Sequence, residues 1–219
     1  MKIGDALFWI GHASFYIKAG DTTIFIDPFK VTNKIKARAD LVLVTHSHHD
    51  HDDPASVEMV KKDGTEFIGA NKCLEGHKKL AVSKPGFKTK FKGIGIEAVP
   101  AYNTKEERLK FHPKSEGWVG YIIDVEGLRI YHAGDTDHIP EMGALKDIDI
   151  ALLPMGGTYT MGAAEAIEAA NSIAPKSIVP MHYKMLLGKE KSDNLEKELK
   201  SKLDNVMIMR EVQDPVYSF

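Results

Sequence analysis

Hydrophobic and polar residues follow two different periods along this chain. Through the first 45 residues, short apolar runs are separated by turns, which predicts strands over 7–10, 14–17, 23–26 and 41–44. Gly20 beside Asp21 marks a hairpin between the second and third of these. Leu41-Val42-Leu43-Val44 has no polar position and reads as a strand buried on both faces. From Pro54 the spacing becomes helical. A helix over 54–62 starts at that proline, 66–69 is a short buried strand, and 71–80 is a second helix opened by Asn71. Strands return over 94–102, 119–125 and 128–132, with Glu126-Gly127 turning the last pair into a hairpin.

The remainder alternates: strand 148–153, helix 162–172, strand 177–181, helix 192–203, strand 205–209. Ala163, Ala166, Ile167, Ala170 and Ile173 make a helical stripe suited to packing on a sheet. A strand-rich stretch followed by strand–helix alternation thus occurs twice, once in each half. This predicts two sheets packed together with helices outside, a four-layer αββα sandwich of the α/β class, in one domain over 1–219. The stretch 104–116 is the one long polar loop, expected at the surface.

Composition narrows the partners. The 219 residues are 43% hydrophobic and 27% charged, and 29 basic against 31 acidic residues leave a formal charge of -2. No whole-molecule basic field exists to hold nucleic acid or an anionic membrane, so neither partner is expected. No apolar stretch approaches the roughly 18 residues that a membrane span needs. Met1-Lys2-Ile3-Gly4-Asp5 lacks a signal peptide's basic-then-apolar layout. The single cysteine, Cys73, excludes an internal disulfide and reads as a small packed side chain. A cytoplasmic protein with a small-molecule substrate is expected, with homo-oligomerisation left open.

The chemistry is concentrated in Thr45-His46-Ser47-His48-His49-Asp50-His51-Asp52-Asp53, directly after the strand 41–44. Imidazole and carboxylate are the ligands that suit zinc, iron and manganese, and a strand end holds them rigidly with space above for substrate. His46 and His48 point into one site; Asp50 and His51 turn toward a neighbouring one. Two further candidates also follow strands: Asp135 in Ala133-Gly134-Asp135-Thr136 and His182 in Pro180-Met181-His182. If these strand ends converge, Asp135 offers one oxygen to each of two metals roughly 3.5–4 Å apart and His182 completes the second.

In these residues the chain resembles the metallo-β-lactamase superfamily of metal-dependent hydrolases. The match comprises His46-x-His48-x-Asp50-His51, Asp135, His182 and the early Ile26-Asp27-Pro28. Gly11-His12-Ala13-Ser14-Phe15, Tyr131-His132-Ala133-Gly134-Asp135-Thr136, Tyr159-Thr160-Met161-Gly162 and Pro180-Met181-His182-Tyr183 look like the branch that contains ascorbate-6-phosphate lactonase. The resemblance implies the αββα fold and a binuclear site ligated by His46, His48, Asp50, His51, Asp135 and His182. It does not name a substrate. There is one departure: where most members carry a third histidine for the first metal, after the strand that ends in Ala101-Tyr102, this chain has Asn103. Either His112, nine residues on, swings in, or Asn103 or water fills the place.

Asp27 is expected to accept a hydrogen bond from the distal N–H of a ligating imidazole, fixing its tautomer. His12 reaches the metal cleft or packs beside it. His49 faces solvent or supports the site, His77 lies on the surface of helix 71–80, His132 is structural and His138 lines the cleft. His112, Lys114 and Tyr159 are candidate substrate contacts, the lysine pointing to an anionic group. The expected activity is hydrolysis of a small, anionic, ester-like substrate, a lactone or phosphodiester, by a metal-bound hydroxide. Two divalent ions are required, zinc first and manganese or iron next, with Asp50 and Asp135 as catalytic carboxylates. The alternatives are a binuclear-iron redox protein, which needs an electron source, and a metal-dependent binding or sensor module without turnover.

Overall fold

Each half of the chain builds one six-stranded sheet. The computed structural model describes residues 6–213, so positions 1–5, read above for a leader, lie outside the described residues. The first sheet follows chain order: β1 (Leu7–Gly11), β2 (Ser14–Ala19), β3 (Thr22–Ile26), β4 (Leu41–Val44), β5 (Glu66–Gly69) and β6 (Leu80–Val82). Its first three strands form an antiparallel meander, and β3 to β6 pair in parallel. Parallel neighbours need a crossover, which α1 (Pro54–Val60) supplies between β4 and β5. Asp53 caps that helix, its side chain accepting from the Ala55 N–H at 3.1 Å.

The second sheet has the order β12-β11-β10-β9-β8-β7. Strands β7 (Lys88–Phe91), β8 (Ile94–Pro100), β9 (Val119–Val125) and β10 (Leu128–His132) are antiparallel, whereas β11 (Ile150–Pro154) and β12 (Ser177–Met181) continue in parallel. The helix α2 (Ala163–Ile173) crosses between these last two, burying Ala166, Ala169, Ala170 and Ile173. After β12 comes α3 (Lys184–Lys202). The sheets pack face to face over one apolar core with helices on the outside, as expected. Between them, the buried Tyr121 hydroxyl donates to the Val44 carbonyl at 3.0 Å and meets Ser83 Oγ at 2.7 Å.

Strands that run the same way share a C-terminal edge. In the first sheet these are β1, β3, β4, β5 and β6; in the second, β8, β10, β11 and β12. Backbone hydrogen bonds stitch the two edges together: Val119 N–H to the Thr45 carbonyl at 3.2 Å and His182 N–H to the His12 carbonyl at 3.0 Å. One glycine is required there. At Gly134 (φ 64°) a Cβ would stand 2.8 Å from the Val119 carbonyl and 3.2 Å from Thr45 Cβ, so only glycine lets the turn that carries Asp135 approach the start of the histidine motif.

Several predicted elements are corrected. Residues 71–79, predicted as helix together with Leu80, are a chain of turns, because Lys72, Leu74 and Gly76 all have positive φ, which no right-handed helix accommodates. Cys73 is buried there as expected, and His77 is half-buried, its ring stacked 4.1 Å from Phe67. The helix predicted over 192–203 starts earlier, at Lys184, with a break at Gly188. Residues 205–209 form only an isolated bridge, Val206 to Ile178. Strands β6 and β7 were not anticipated: Lys88-Thr89-Lys90-Phe91 is a polar edge strand without the apolar alternation of a half-buried one. The loop 104–116 is not simply surface, since Arg108 and His112 within it are buried.

Candidate metal centre

The chain leaves β4 at Thr45 and curls at once. The N–H groups of His51 and Asp52 both donate to the His48 carbonyl, at 3.0 and 2.8 Å, which folds His51 back beneath His46 and His48. Beneath them lies the buried Asp27, at the end of β3. Its Oδ1 accepts from the Thr45 N–H at 2.8 Å, and its Oδ2 accepts from the Thr45 hydroxyl at 2.6 Å and from His51 Nδ1 at 2.7 Å. A hydroxyl has one hydrogen. With that hydrogen given to Asp27, Thr45 Oγ1 accepts from His46 Nδ1 at 3.0 Å. Asp27 and Thr45 thereby leave the Nε2 lone pairs of both His51 and His46 directed into the cleft. Thr45 was missed; its only sequence signal is its place immediately before the histidines.

The donors fall into two groups joined by a third, His46, His51 and Asp135. In the first, His46, His48 and His112 bring ligand nitrogens within 4.8 Å of one another, with His46 Nε2 and His48 Nδ1 at 3.1 Å. The second comprises His12, Asp50, His51 and His182. Asp135 stands between the groups. Its Oδ2 lies 3.3 Å from His112 Nε2 and 3.1 Å from His182 Nε2, and its Oδ1 lies 3.4 Å from His51 Nε2. Trp118 packs across the first group, its ring 5.1 Å from His46 and 4.9 Å from His48. His12 contacts Asp50 directly, Nε2 to Oδ2 at 3.0 Å, and its ring lies 3.7 Å from that of His182.

The electrostatics follow from packing charge in a buried place. Burial raises the carboxyls of Asp50 and Asp135, but the neighbouring histidines outweigh it and hold both below the ordinary carboxylate range. Burial lowers His51 and His182, yet facing carboxylates prevail: His51 rises well above its ordinary value and His182 reaches about 9. His46 and His48 are lowered, chiefly by burial, and His12 falls to about 3 through burial and the nearby His182.

Asn103 meets this cluster at His112. Its amide nitrogen donates to the carbonyls of Arg108 at 2.9 Å and Tyr159 at 2.8 Å, and lies 3.1 Å from His112 Nδ1, so it braces the loop instead of replacing the histidine. Lys114 is turned away, bonded at 3.0 Å both to Glu141 and to the Tyr102 hydroxyl. His138 meets Ser172 of α2 at 2.9 Å and does not line the cleft. The side chain of His49 is 81% exposed, while the buried His132 donates to the Ala13 carbonyl at 2.8 Å. Arg108 and Asp137 were not foreseen. The buried guanidinium pairs with Asp137 at 3.0 Å and with Glu165 at 2.6 Å, tying the loop that bears His112 to the turn after β10 and to α2.

The donors fit divalent cations. The buried His51 Nε2, His112 Nε2, His182 Nε2 and Asp135 Oδ1 have no hydrogen-bond partner among the described residues, although each points into one small volume. Orphaned polar atoms so placed are costly unless something binds them. Beyond them opens a cavity of about 440 Å³ lined by His48, His49, Asp50, Phe111, His112, Asp135, Tyr159 and His182.

Two six-stranded mixed sheets with a histidine–carboxylate cluster at their joined edge define a metallohydrolase-type sandwich. Residues 6–182 match the family described as the beta-lactamase superfamily domain. The chain is 37% identical over 196 residues to a UPF0173 metal-dependent hydrolase of Thermococcus onnurineus, covering 80% of this chain and 83% of that one. It is 34% identical to another from Thermoplasma volcanium, over 96% and 97% of the two chains. Among solved structures, a Parabacteroides distasonis protein assigned as a metal-dependent hydrolase superposes with a TM-score of 0.83 at 40% identity, covering 94% of this chain and 93% of that one. The chain belongs to the metallo-β-lactamase superfamily of metal-dependent hydrolases.

Proposed function

We propose that this chain hydrolyses a small ester-like substrate, of the lactone or phosphodiester class, at a two-metal centre. His46, His48 and His112 would hold one cation and Asp50, His51 and His182 the other, with Asp135 placed between the two sets. One observation carries the reading: Asp135 stands within 3.4 Å of imidazoles from both donor groups, beside a cavity of about 440 Å³. Zinc is the first choice for a set dominated by imidazole, with manganese or iron next.

When bound, such cations acidify water and polarise a carbonyl or phosphoryl oxygen. The protein's own groups do the rest. Asp27 and Thr45 hold His51 and His46 in the tautomers whose lone pairs face the cleft. The Asp50 carboxylate lines the cavity, with one oxygen oriented by His12, and is the group placed to accept the proton of an attacking water. Asp135 supplies negative charge between the donor groups, which an amide of the same shape lacks.

Asp135→Asn is therefore expected to lower bound metal from about two ions per chain toward about one and to abolish ester hydrolysis, with circular dichroism unchanged. Elemental analysis and a turnover assay check this. Unchanged stoichiometry and rate would place the bridge elsewhere.

A further inference from the structure

The cavity above the candidate ligands has a second wall, and that wall is aromatic. Phe111 and Tyr159 meet edge to face, their ring centroids 4.8 Å apart and their planes at 87°. Tyr159 leaves 38% of its surface exposed. The wall is braced from behind: Asn103 ties the carbonyl of Tyr159 to that of Arg108, three residues before Phe111. Aromatic surface held open beside a reactive centre offers area to a substrate's apolar part, and its edge-to-face geometry suits another ring.

No lysine or arginine is among the residues that line the cavity. Arg108 is spent on Asp137 and Glu165, and Lys114 on Glu141 and Tyr102. Lys110 lies over the Phe111 ring, 5.0 Å from its centroid, and does not line the cavity. An anionic tail seated against Phe111 and Tyr159 loses its water without gaining a lysine or arginine partner from the cavity lining, a cost that an apolar tail does not carry.

We propose that the substrate is an uncharged ester or lactone whose apolar, preferably aromatic, portion packs on Phe111 and Tyr159 while its ester group faces the metal ligands. This rests on the hydrolase reading and narrows it.

Two hydroxamates, which chelate metal alike but differ in their tails, separate the wall from the chemistry. On the zinc-loaded protein, calorimetry should show benzohydroxamate binding about tenfold more tightly than the monohydroxamate of succinic acid. Phe111→Ala and Tyr159→Ala should each weaken benzohydroxamate about threefold or more, with zinc content and succinyl hydroxamate affinity unchanged. Equal or tighter binding of the carboxylate-tailed chelator overturns the proposal. In turnover, methyl phenylacetate should exceed monomethyl succinate about tenfold in kcat/KM. Preference for the charged ester overturns this proposal alone. Hydrolysis of neither, with two metals bound, overturns the hydrolase reading and this proposal with it.

Discussion

The residue that stands where a third metal-ligating histidine was expected is an asparagine, and its amide reaches two loops at once. Asn103 holds the carbonyls of Arg108 and Tyr159, while His112 delivers its Nε2 to within 3.3 Å of Asp135. An imidazole carried on a braced loop can occupy the same volume as one carried on a strand end. His112→Ala is expected to cost about tenfold or more in metal affinity, read by competition with a chromophoric chelator. Asn103→Ala should cost less, since it loosens the loop without removing a donor atom. Unchanged affinity in His112→Ala would make that imidazole a substrate contact.

At the scale of elements, the loop 104–116 is held by a buried charge network. Asp137 Oδ2 accepts from the N–H groups of Thr104 at 2.7 Å and Lys105 at 3.0 Å, and Oδ1 faces Arg108, whose guanidinium also takes Glu165 at the start of α2. Breaking a buried pair strands a charge, at about 3–5 kcal/mol. Arg108→Met is therefore expected to lower Tm by about 10 °C, taking about 2–4 °C per kcal/mol at this size. It should also weaken metal binding through His112. Adding Asp137→Asn should recover part of the loss, because removing both charges is cheaper than stranding one. A double variant no more stable than the single, by calorimetry, would show that the pair is not the cause.

Across the whole molecule, the end of the described chain returns to the beginning. Glu211 bridges to Trp9 of β1, the Val212 N–H donates to the Trp9 carbonyl at 2.8 Å, and Gln213 bonds Thr32 and the Lys30 carbonyl. The Glu211 carboxyl packs against Gly11, and burial, only partly offset by Lys184, lifts it to about 7. A carboxyl with a folded-state pKa above its unfolded value binds protons better when folded. Its contribution is therefore full at low pH and is lost as pH rises from about 4.5 through about 7. Glu211→Gln should raise Tm at pH 8 by about 2–4 °C, taking about 1 kcal/mol after solvent screening of a partly exposed group, and change it little at pH 4. Equal gains at both values would rule out the carboxyl's charge as the source.

How much of this was legible depends on range. Hydrophobic period and turn chemistry are local, so ten of the strands, the Glu126-Gly127 hairpin (φ 53° and 86°) and α2 were readable from neighbouring residues. The cluster from His46 to His51, with Asp135 and His182 each following a strand, was readable because ligand chemistry restricts which residue types suffice. Residues 71–80 were misread because helical spacing and a buried turn can share the same apolar positions, and only backbone φ separates them. Lys114 by itself points to an anionic group, whereas the fold pairs it with Glu141. The sequence by itself determined the sandwich and the kinds of donor atom. The tertiary structure alone decided that His112 rather than Asn103 faces the candidate metal ligands, and that aromatic rings border the cavity, because side-chain direction is set by contacts between residues far apart in the chain.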